Sequence, residues 1–114
     1  MATTVLIMIA LTMATKIENV SGLLEKVGHV LLLTIQNPGS SGQKFDGAGL
    51  EKIGKINNLP FRNQFVLCVD GGVNEYIVGS LEAEYIVSGS SVLKSTDPKR
   101  QIMRLQTIGR HEAT

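Results

Sequence analysis

The sequence predicts an α/β fold made of four βα units with a parallel sheet. Short apolar runs occur four times along the chain, and each is followed by a segment with polar or helix-spaced residues. Glycines follow the last three runs, which is typical of turns that lead from a strand into a helix. Strands that alternate with helices pair in parallel through right-handed crossovers. The chain is therefore expected to form either an open doubly wound sheet or part of a (β/α)8 barrel.

Length and charge limit the classes of function. A chain of 114 residues can build one modest core, so we expect a single domain over residues 1–114. Its 11 Lys and Arg residues nearly balance its 10 Asp and Glu residues. The net charge therefore does not attract the chain to nucleic acid or to a membrane surface. Cys68 is the only cysteine and lies in an apolar run, as a buried thiol would in a reducing compartment. We therefore expect a cytoplasmic protein.

The first two units occupy the N-terminal half of the chain. Residues 4–11 form a continuous apolar run without a basic flank, which favours a strand buried on both faces over a signal segment. A helix is predicted from an N-cap at Thr15 to Gly28, then a strand over residues 29–35 and a helix over 47–58. The residues expected to face the core are Ile17, Val20, Leu23, Leu24 and Val27 in the first helix, and Leu50, Ile53 and Ile56 in the second.

The last two units follow the same pattern. A strand is predicted over residues 64–69, and the segment 71–83 is a loop that leads into a short helix. The fourth strand covers 84–89. The last helix, "DPKRQIMRLQTIG", has Asp97 as its N-cap and Pro98 at its first helical position.

Glycines are concentrated where the last three strands end. Both candidate architectures bind ligands beyond the C-terminal ends of their strands. Glycine lets the backbone approach a ligand and turn its N–H groups inward, and a following helix N-terminus favours an anion. Plain turn chemistry is the alternative for any one loop, but three such loops at one edge predict a phosphate site. The glycines are Gly39 and Gly42, Gly71 and Gly72, and Gly89.

Three motifs resemble the C-terminal half of ribulose-phosphate 3-epimerase. They are "NPGSSGQKF", "VDGGVN" and "IVSGSSVLKSTDP", and they follow the second, third and fourth strands in that order. "IALTMATKIE" is similar to the fifth strand of that family, so the resemblance covers residues 5–108. It implies a TIM-type (β/α)8 barrel of which this chain supplies strands five to eight. It also implies an isomerase of the pentose phosphate pathway that interconverts D-ribulose 5-phosphate and D-xylulose 5-phosphate.

The resemblance also implies the roles of individual residues. Asp70 matches a carboxylate that is both a metal ligand and one of two acid/base groups. The implied cofactor is a divalent metal ion of the Zn, Fe, Mn or Co type. Backbone N–H groups of three loops would bind the substrate phosphate, and the matching positions are Gly39, Ser40, Ser41, Gly42, Gly71, Gly72, Gly89 and Ser90.

Several family residues have no counterpart in this chain. Epimerisation needs one group on each face of the sugar carbon, and the family takes its second Asp, two His and a Ser from strands one to three. His29 and His111 are expected to be structural or solvated. The family also has an aromatic residue and a glycine where this chain reads Ser40-Ser41. An ungapped match puts Thr34 or a neighbour at the place of a substrate-lining methionine.

A half-barrel exposes an apolar inner face and two unpaired sheet edges. Either a twofold homodimer or a separate chain that carries the first half of the barrel would cover these surfaces. The third alternative is that the chain is a truncated fragment without a stable fold. Three functions stay open: half of an epimerase, a sugar-phosphate-binding protein without turnover, and an inactive fragment. The isolated chain is expected to bind metal poorly and to catalyse nothing. Lys44 is interpreted as a surface lysine rather than a phosphate ligand.

Overall fold

The structure is a computed structural model that describes residues 7–40 and 42–112. It contains one parallel sheet whose strands lie in the order β1-β2-β3-β4. The strands are β1 (Met8–Leu11), β2 (His29–Leu33), β3 (Val66–Asp70) and β4 (Tyr85–Val87). The helices are α1 (Ile17–Leu24), α2 (Ala48–Asn57), α3 (Ser90–Leu93) and α4 (Pro98–Glu112), with short 3-10 helices at Arg62–Gln64 and Val78–Ser80.

The strand order decides between the two predicted architectures. Each strand pairs in parallel with the next strand along the chain, and the order does not reverse anywhere in this sheet. A doubly wound sheet has a switch point where the strand order reverses, whereas a (β/α)8 barrel adds its strands in sequence. The fold is therefore part of a (β/α)8 barrel, which confirms the predicted α/β class.

The core lies between the helices and one face of the sheet. Alternate residues of β2 and β3 point to this face and are fully buried, because side chains alternate between the two faces of a strand. They pack with buried residues of α1 and α2 into one apolar cluster. The central members of that cluster are Val30, Leu32, Leu67 and Val69 of the strands, with Leu24, Ile53 and Ile56 of the helices.

The opposite face of the sheet is only partly covered. Met8 in β1 and Tyr85 and Val87 in β4 are exposed on it. The prediction that the first strand is buried on both faces is wrong for the described residues of β1, while residues 4–6 lie outside the described ranges. This face corresponds to the inside of a barrel, which neighbouring strands would have to enclose.

Two details of the first helix differ from the prediction. Its N-cap is Lys16, not Thr15, because the Thr15 hydroxyl accepts a hydrogen bond from the backbone nitrogen of Thr12 (3.1 Å) and closes the turn after β1. The helix ends at Leu24 instead of Gly28. Leu23, predicted to face the core, is exposed, and so is Leu50 of α2.

The C-terminal elements agree better with the prediction. Asp97 accepts a hydrogen bond from the backbone nitrogen of Arg100 (3.1 Å), and α4 begins at Pro98 as expected. The predicted short helix within 71–83 is only a 3-10 turn, Val78–Ser80. Helix α3 was not predicted, because four residues are too few to show helical periodicity.

An ion pair lies at the end of the sheet where the strands begin. The guanidinium of Arg62 contacts the carboxylate of Glu84 at 2.6 Å, and Arg62 also donates to the carbonyl oxygen of Phe65 at 2.9 Å. Burial alone would raise the pKa of Glu84, but the hydrogen bond and the charge of Arg62 outweigh it and lower that pKa. Because this end of a barrel carries stability rather than chemistry, we assign the pair a structural role.

Within the described ranges, no helix has the length and apolar character required to cross a membrane.

Candidate functional site

A cavity of about 330 Å³ lies where β2, β3 and β4 end, and we call it the glycine cavity. The loops after these three strands form most of its wall. All the predicted site residues that the structure describes line it, whereas Ser41 lies outside the described residues. They are Gly39, Ser40 and Gly42 after β2, Asp70, Gly71 and Gly72 at the end of β3, and Gly89 and Ser90 after β4.

Two adjacent glycines form the tightest part of this wall. Gly71 and Gly72 have φ angles of 135° and 70°, a region that side-chain-bearing residues rarely adopt. A Cβ atom on Gly72 would overlap the backbone nitrogen of Phe45 and lie 2.6 Å from the carbonyl carbon of Lys44. The loop after β3 can therefore pack against the segment before α2 only if position 72 is glycine.

Thr34 fixes the position of the loop after β3. Its hydroxyl donates a hydrogen bond to the carbonyl oxygen of Gly71 (2.8 Å). Its backbone nitrogen donates a hydrogen bond to the carbonyl oxygen of Asp70 (2.9 Å). Its own carbonyl accepts from the backbone nitrogen of Asp46 (2.7 Å). Thr34 is fully buried and is not part of the cavity wall. Its neighbours Leu33 and Ile35 do line the cavity.

Gln43 holds the loop after β2 in place. Its side-chain nitrogen donates to the carbonyl oxygen of Ser40 (2.9 Å), and its side-chain oxygen accepts from the backbone nitrogen of Asn37 (3.1 Å). These bonds span the part of the loop that carries Gly39. Neither the supporting role of Thr34 nor that of Gln43 was predicted from the sequence. The available signals were a hydroxyl in an otherwise apolar run and an amide beside the glycines.

Asp70 gives the glycine cavity its charge. Among the described residues of the wall, it alone has an ionisable side chain, and it is half-buried at the end of β3. Cys68 lies two residues earlier on the same face of the strand. Burial, and then the negative charge of Asp70, raise the pKa of the Cys68 thiol. Cys68 is therefore a neutral thiol near pH 7, and Asp70 is the candidate group for proton transfer.

The donor atoms at the cavity do not form a metal site by themselves. Within the ranges that the structure describes, no three His, Cys, Asp or Glu side chains are close enough to hold an ion together. His29 begins β2 and so lies at the opposite end of the sheet from Asp70. The side chain of His111 lies outside the described part. A single carboxylate is a poor site for a divalent ion, which needs several ligands.

A second, open cavity of about 800 Å³ adjoins the first, and we call it the basic cavity. The two share wall residues that include Gly42, Gly72 and Ser90. The wall residues that carry a charge at pH 7 are Lys44, Lys94, Arg104 and Glu75.

Gln101 connects the two loops that border the basic cavity. It is buried, and its side-chain nitrogen donates to a carboxylate oxygen of Glu75 (2.6 Å) and to the hydroxyl of Ser91 in α3 (2.9 Å). The pKa of Glu75 is lowered by the backbone hydrogen bond at that residue, by the Gln101 bond and by the charge of Arg104. These contacts favour the carboxylate form of Glu75.

The sequence matches one family of known proteins. A family model described as the ribulose-phosphate 3 epimerase family matches residues 2–93. A ribulose-phosphate 3-epimerase of Helicobacter pylori is 41% identical over 105 residues, which cover 88% of this chain and 48% of that protein. One of Bacillus subtilis is 31% identical over 98 residues, covering 81% and 45%. The chain thus spans about half the length of the curated relatives it matches.

The fold also has a counterpart among solved structures. The crystal structure of 3-hexulose-6-phosphate synthase from Salmonella typhimurium superposes with a TM-score of 0.70 at 15% sequence identity. The match covers 94% of this chain and 50% of that chain. At this level of identity the match supports the fold alone, and it agrees with four βα units of a (β/α)8 barrel.

Proposed function

The chain belongs to the ribulose-phosphate 3-epimerase family, and we propose that residues 1–114 form a half-barrel domain that supplies the C-terminal half of such an enzyme. The proposed reaction interconverts D-ribulose 5-phosphate and D-xylulose 5-phosphate. One observation carries the proposal: Asp70 and the glycines of three separate loops line the same cavity. We call the backbone of the three loops, at Gly39, Ser40, Gly42, Gly71, Gly72, Gly89 and Ser90, the cradle. A carboxylate beside this cradle suits a sugar phosphate, because the enzyme must hold the phosphate and the reacting carbon at the same time.

We propose that the backbone of the glycine loops binds the phosphate. Gly39, Gly42, Gly71 and Gly72 have positive φ angles, which let consecutive peptide N–H groups turn toward one ligand. Thr34 and Gln43 hold two of these loops in place before any ligand arrives. Because these loops are already ordered, little conformational entropy is lost when the ligand binds, and this favours affinity.

Asp70 is the proposed acid/base group of this half. Its carboxylate would take the proton from the sugar carbon next to the ketone on one face, or return a proton to that face in the reverse direction. Inversion requires a second group on the other face, and no other ionisable side chain among the described residues lines the glycine cavity. The second group must come from strands outside this half.

The implied divalent ion does not fit the donors of this chain alone. Asp70 offers one carboxylate, and the other wall residues offer amide, hydroxyl and backbone oxygens. We therefore assign Asp70 as one ligand of an ion that a complete barrel would hold. No step of the reaction is derived from that ion.

The partner that we propose is one that completes the barrel. Among the described residues, β1 and β4 each pair with one neighbouring strand, which leaves one edge of each unpaired there. The apolar inner face carries the exposed Met8, Tyr85 and Val87. Either a second copy of the chain or a chain with strands one to four would cover both edges. The buried free thiol of Cys68 suits a reducing compartment, and we propose the cytoplasm as its location.

A second candidate function is sugar-phosphate binding without turnover. It is favoured by the observation that Asp70 has no ionisable partner in the described wall of the glycine cavity. The two candidates differ in whether epimerisation occurs once the barrel is complete.

The test combines this chain with strands one to four of the related Helicobacter pylori enzyme as separate polypeptides. Epimerisation of D-ribulose 5-phosphate is assayed with a divalent metal, while light scattering reports the mass of the complex. An active complex that loses activity with Asp70→Asn supports the epimerase half. A complex of the expected mass that binds the sugar phosphate but is inactive supports the binding protein.

A further inference from the structure

We propose that Lys94 is the counter-charge for the phosphate bound in the glycine cavity. This inference rests on the proposed phosphate-binding function and gives a role to a lysine of the third motif to which the resemblance assigns none. Lys94 lies just after α3 in the wall of the basic cavity, and its ammonium lies beside Gly42, which belongs to the walls of both cavities.

The charges of the glycine cavity require such a group. In the part of its wall that the structure describes, Asp70 is the sole ionisable side chain, and it is an acid. A sugar phosphate carries about two negative charges near pH 7. Backbone N–H groups offer only partial charges, so a phosphate held by them beside Asp70 still experiences repulsion from that carboxylate. A full positive charge at the border of the cavity would offset this repulsion.

The geometry places the ammonium of Lys94 at that border. Its Nζ atom lies 3.4 Å from the position that a Cβ atom on Gly42 would occupy, and Gly42 belongs to the walls of both cavities. The side chain thus crosses from the loop after β4 to the loop after β2. A positive charge from the loop after β4 therefore lies next to the loop after β2.

Lys94 is also available to bind an anion. Its ammonium has no salt bridge and no hydrogen bond with any residue in 7–40 or 42–112, and the ion pair in these ranges is the one between Arg62 and Glu84. The side chain is exposed, so a rotation of its end costs little and could bring the ammonium onto a phosphate oxygen.

The other two cations of the basic cavity are less suitable. Arg104 has an acidic neighbour, since its charge is one of the influences that lower the pKa of the Glu75 carboxyl. Lys44 approaches Gly72 through its backbone carbonyl carbon, and its ammonium is not among the atoms beside any glycine of the cradle. Lys94 is the cation whose charged atom lies among the nearest neighbours of a glycine in the cavity wall, Gly42.

The test measures the affinity of the 114-residue chain for inorganic phosphate and for D-ribulose 5-phosphate by calorimetry. Lys94→Met should weaken both by roughly tenfold, which is typical for the loss of one charge-assisted contact. Lys94→Arg should keep most of the affinity because it keeps the charge. Lys99→Met is the matched control, because Lys99 is an exposed lysine in the first turn of α4 that lines neither cavity. The affinity of this variant for both ligands should equal that of the wild type.

Salt gives a second readout that a purely structural role would not change. The difference between wild type and Lys94→Met should shrink when ionic strength rises from about 0.1 M to about 1 M, because the Debye length falls from about 10 Å to about 3 Å. Equal phosphate affinities for wild type and Lys94→Met would overturn the role of Lys94 and leave the cradle intact. Failure of the wild type itself to bind phosphate would overturn both the cradle and the role of Lys94.

Discussion

The hydroxyl of Thr34 donates a hydrogen bond to the carbonyl oxygen of Gly71, 2.8 Å away, and so joins the end of β2 to the glycines after β3. Two strands of the sheet thereby share one buried polar contact directly behind the candidate site. The bond lies beside Gly71 and Gly72, the two glycines with positive φ angles in the loop after β3.

Removal of this bond should affect both stability and binding. Thr34→Val keeps the shape of the side chain but leaves the carbonyl of Gly71 without this donor, which we expect to cost about 1–3 kcal/mol of unfolding free energy. Phosphate affinity should fall with it, because the loop after β3 loses its support. Thr107→Val is the control: its hydroxyl donates to the carbonyl of Met103 on the exposed face of α4. Denaturant unfolding and phosphate calorimetry are the measurements, and equal effects of the two variants would refute this role.

Gly72 should not tolerate a side chain. Gly72→Ala would force a Cβ atom onto the backbone of Phe45 at a φ of 70°, so phosphate binding should be lost and the chain destabilised by more than about 1 kcal/mol. The control is Gly22→Ala in α1, where a Cβ meets nothing within 4 Å. That substitution should stabilise the chain by about 0.5–1 kcal/mol. Normal phosphate binding by Gly72→Ala would show that the loop is not part of the cradle.

The Arg62–Glu84 pair should make stability depend on pH. Because folding lowers the pKa of Glu84, its carboxylate stabilises the protein at neutral pH, and that contribution is lost as pH falls through the lowered pKa, below the ordinary value of about 4.5. Glu84→Gln should therefore cost about 0.5–1 kcal/mol at pH 7 and almost nothing well below pH 4. Urea unfolding across this pH range, with Glu82→Gln as control, checks the prediction. A cost that stays constant with pH would contradict it.

Asp70 should also influence the reactivity of Cys68. Burial and the charge of Asp70 raise the pKa of this thiol, so alkylation at pH 7 should be slow and should accelerate only at alkaline pH. Asp70→Asn removes the second cause and should move the pH midpoint of alkylation downward. Asp46→Asn, at the start of α2, should leave it in place. The rate of iodoacetamide labelling against pH measures this, and an unchanged midpoint in Asp70→Asn would show that the two groups do not interact.

The features that were predicted from the sequence depend on local patterns. The strand around Cys68, the start of α4 at Asp97 and Pro98, and the glycines after three strands each carry a signature within a few residues. The family motifs added the order of the loops. Those loops do form one cavity in the structure, although the roles of their residues remain proposals.

The features that were missed depend on contacts between distant segments. The hydroxyl of Thr34 finds its partner 37 residues further along the chain, and Lys94 reaches Gly42 from another loop. Periodicity could not show that Leu23 is exposed, because helical spacing indicates which residues share a face and not whether that face is covered. Thr15 had the residue type of an N-cap, but the turn after β1 uses its hydroxyl instead.

The most direct test of the central claim compares the binding of D-ribulose 5-phosphate and D-ribulose to the 114-residue chain by calorimetry. The account predicts that the phosphorylated sugar binds and that the free sugar binds at least about a hundredfold more weakly, since the cradle supplies most of the contacts. Gly72→Ala should abolish the difference. Equal affinities for the two sugars, or no binding of either, would contradict the claim that this half-barrel carries a sugar-phosphate site.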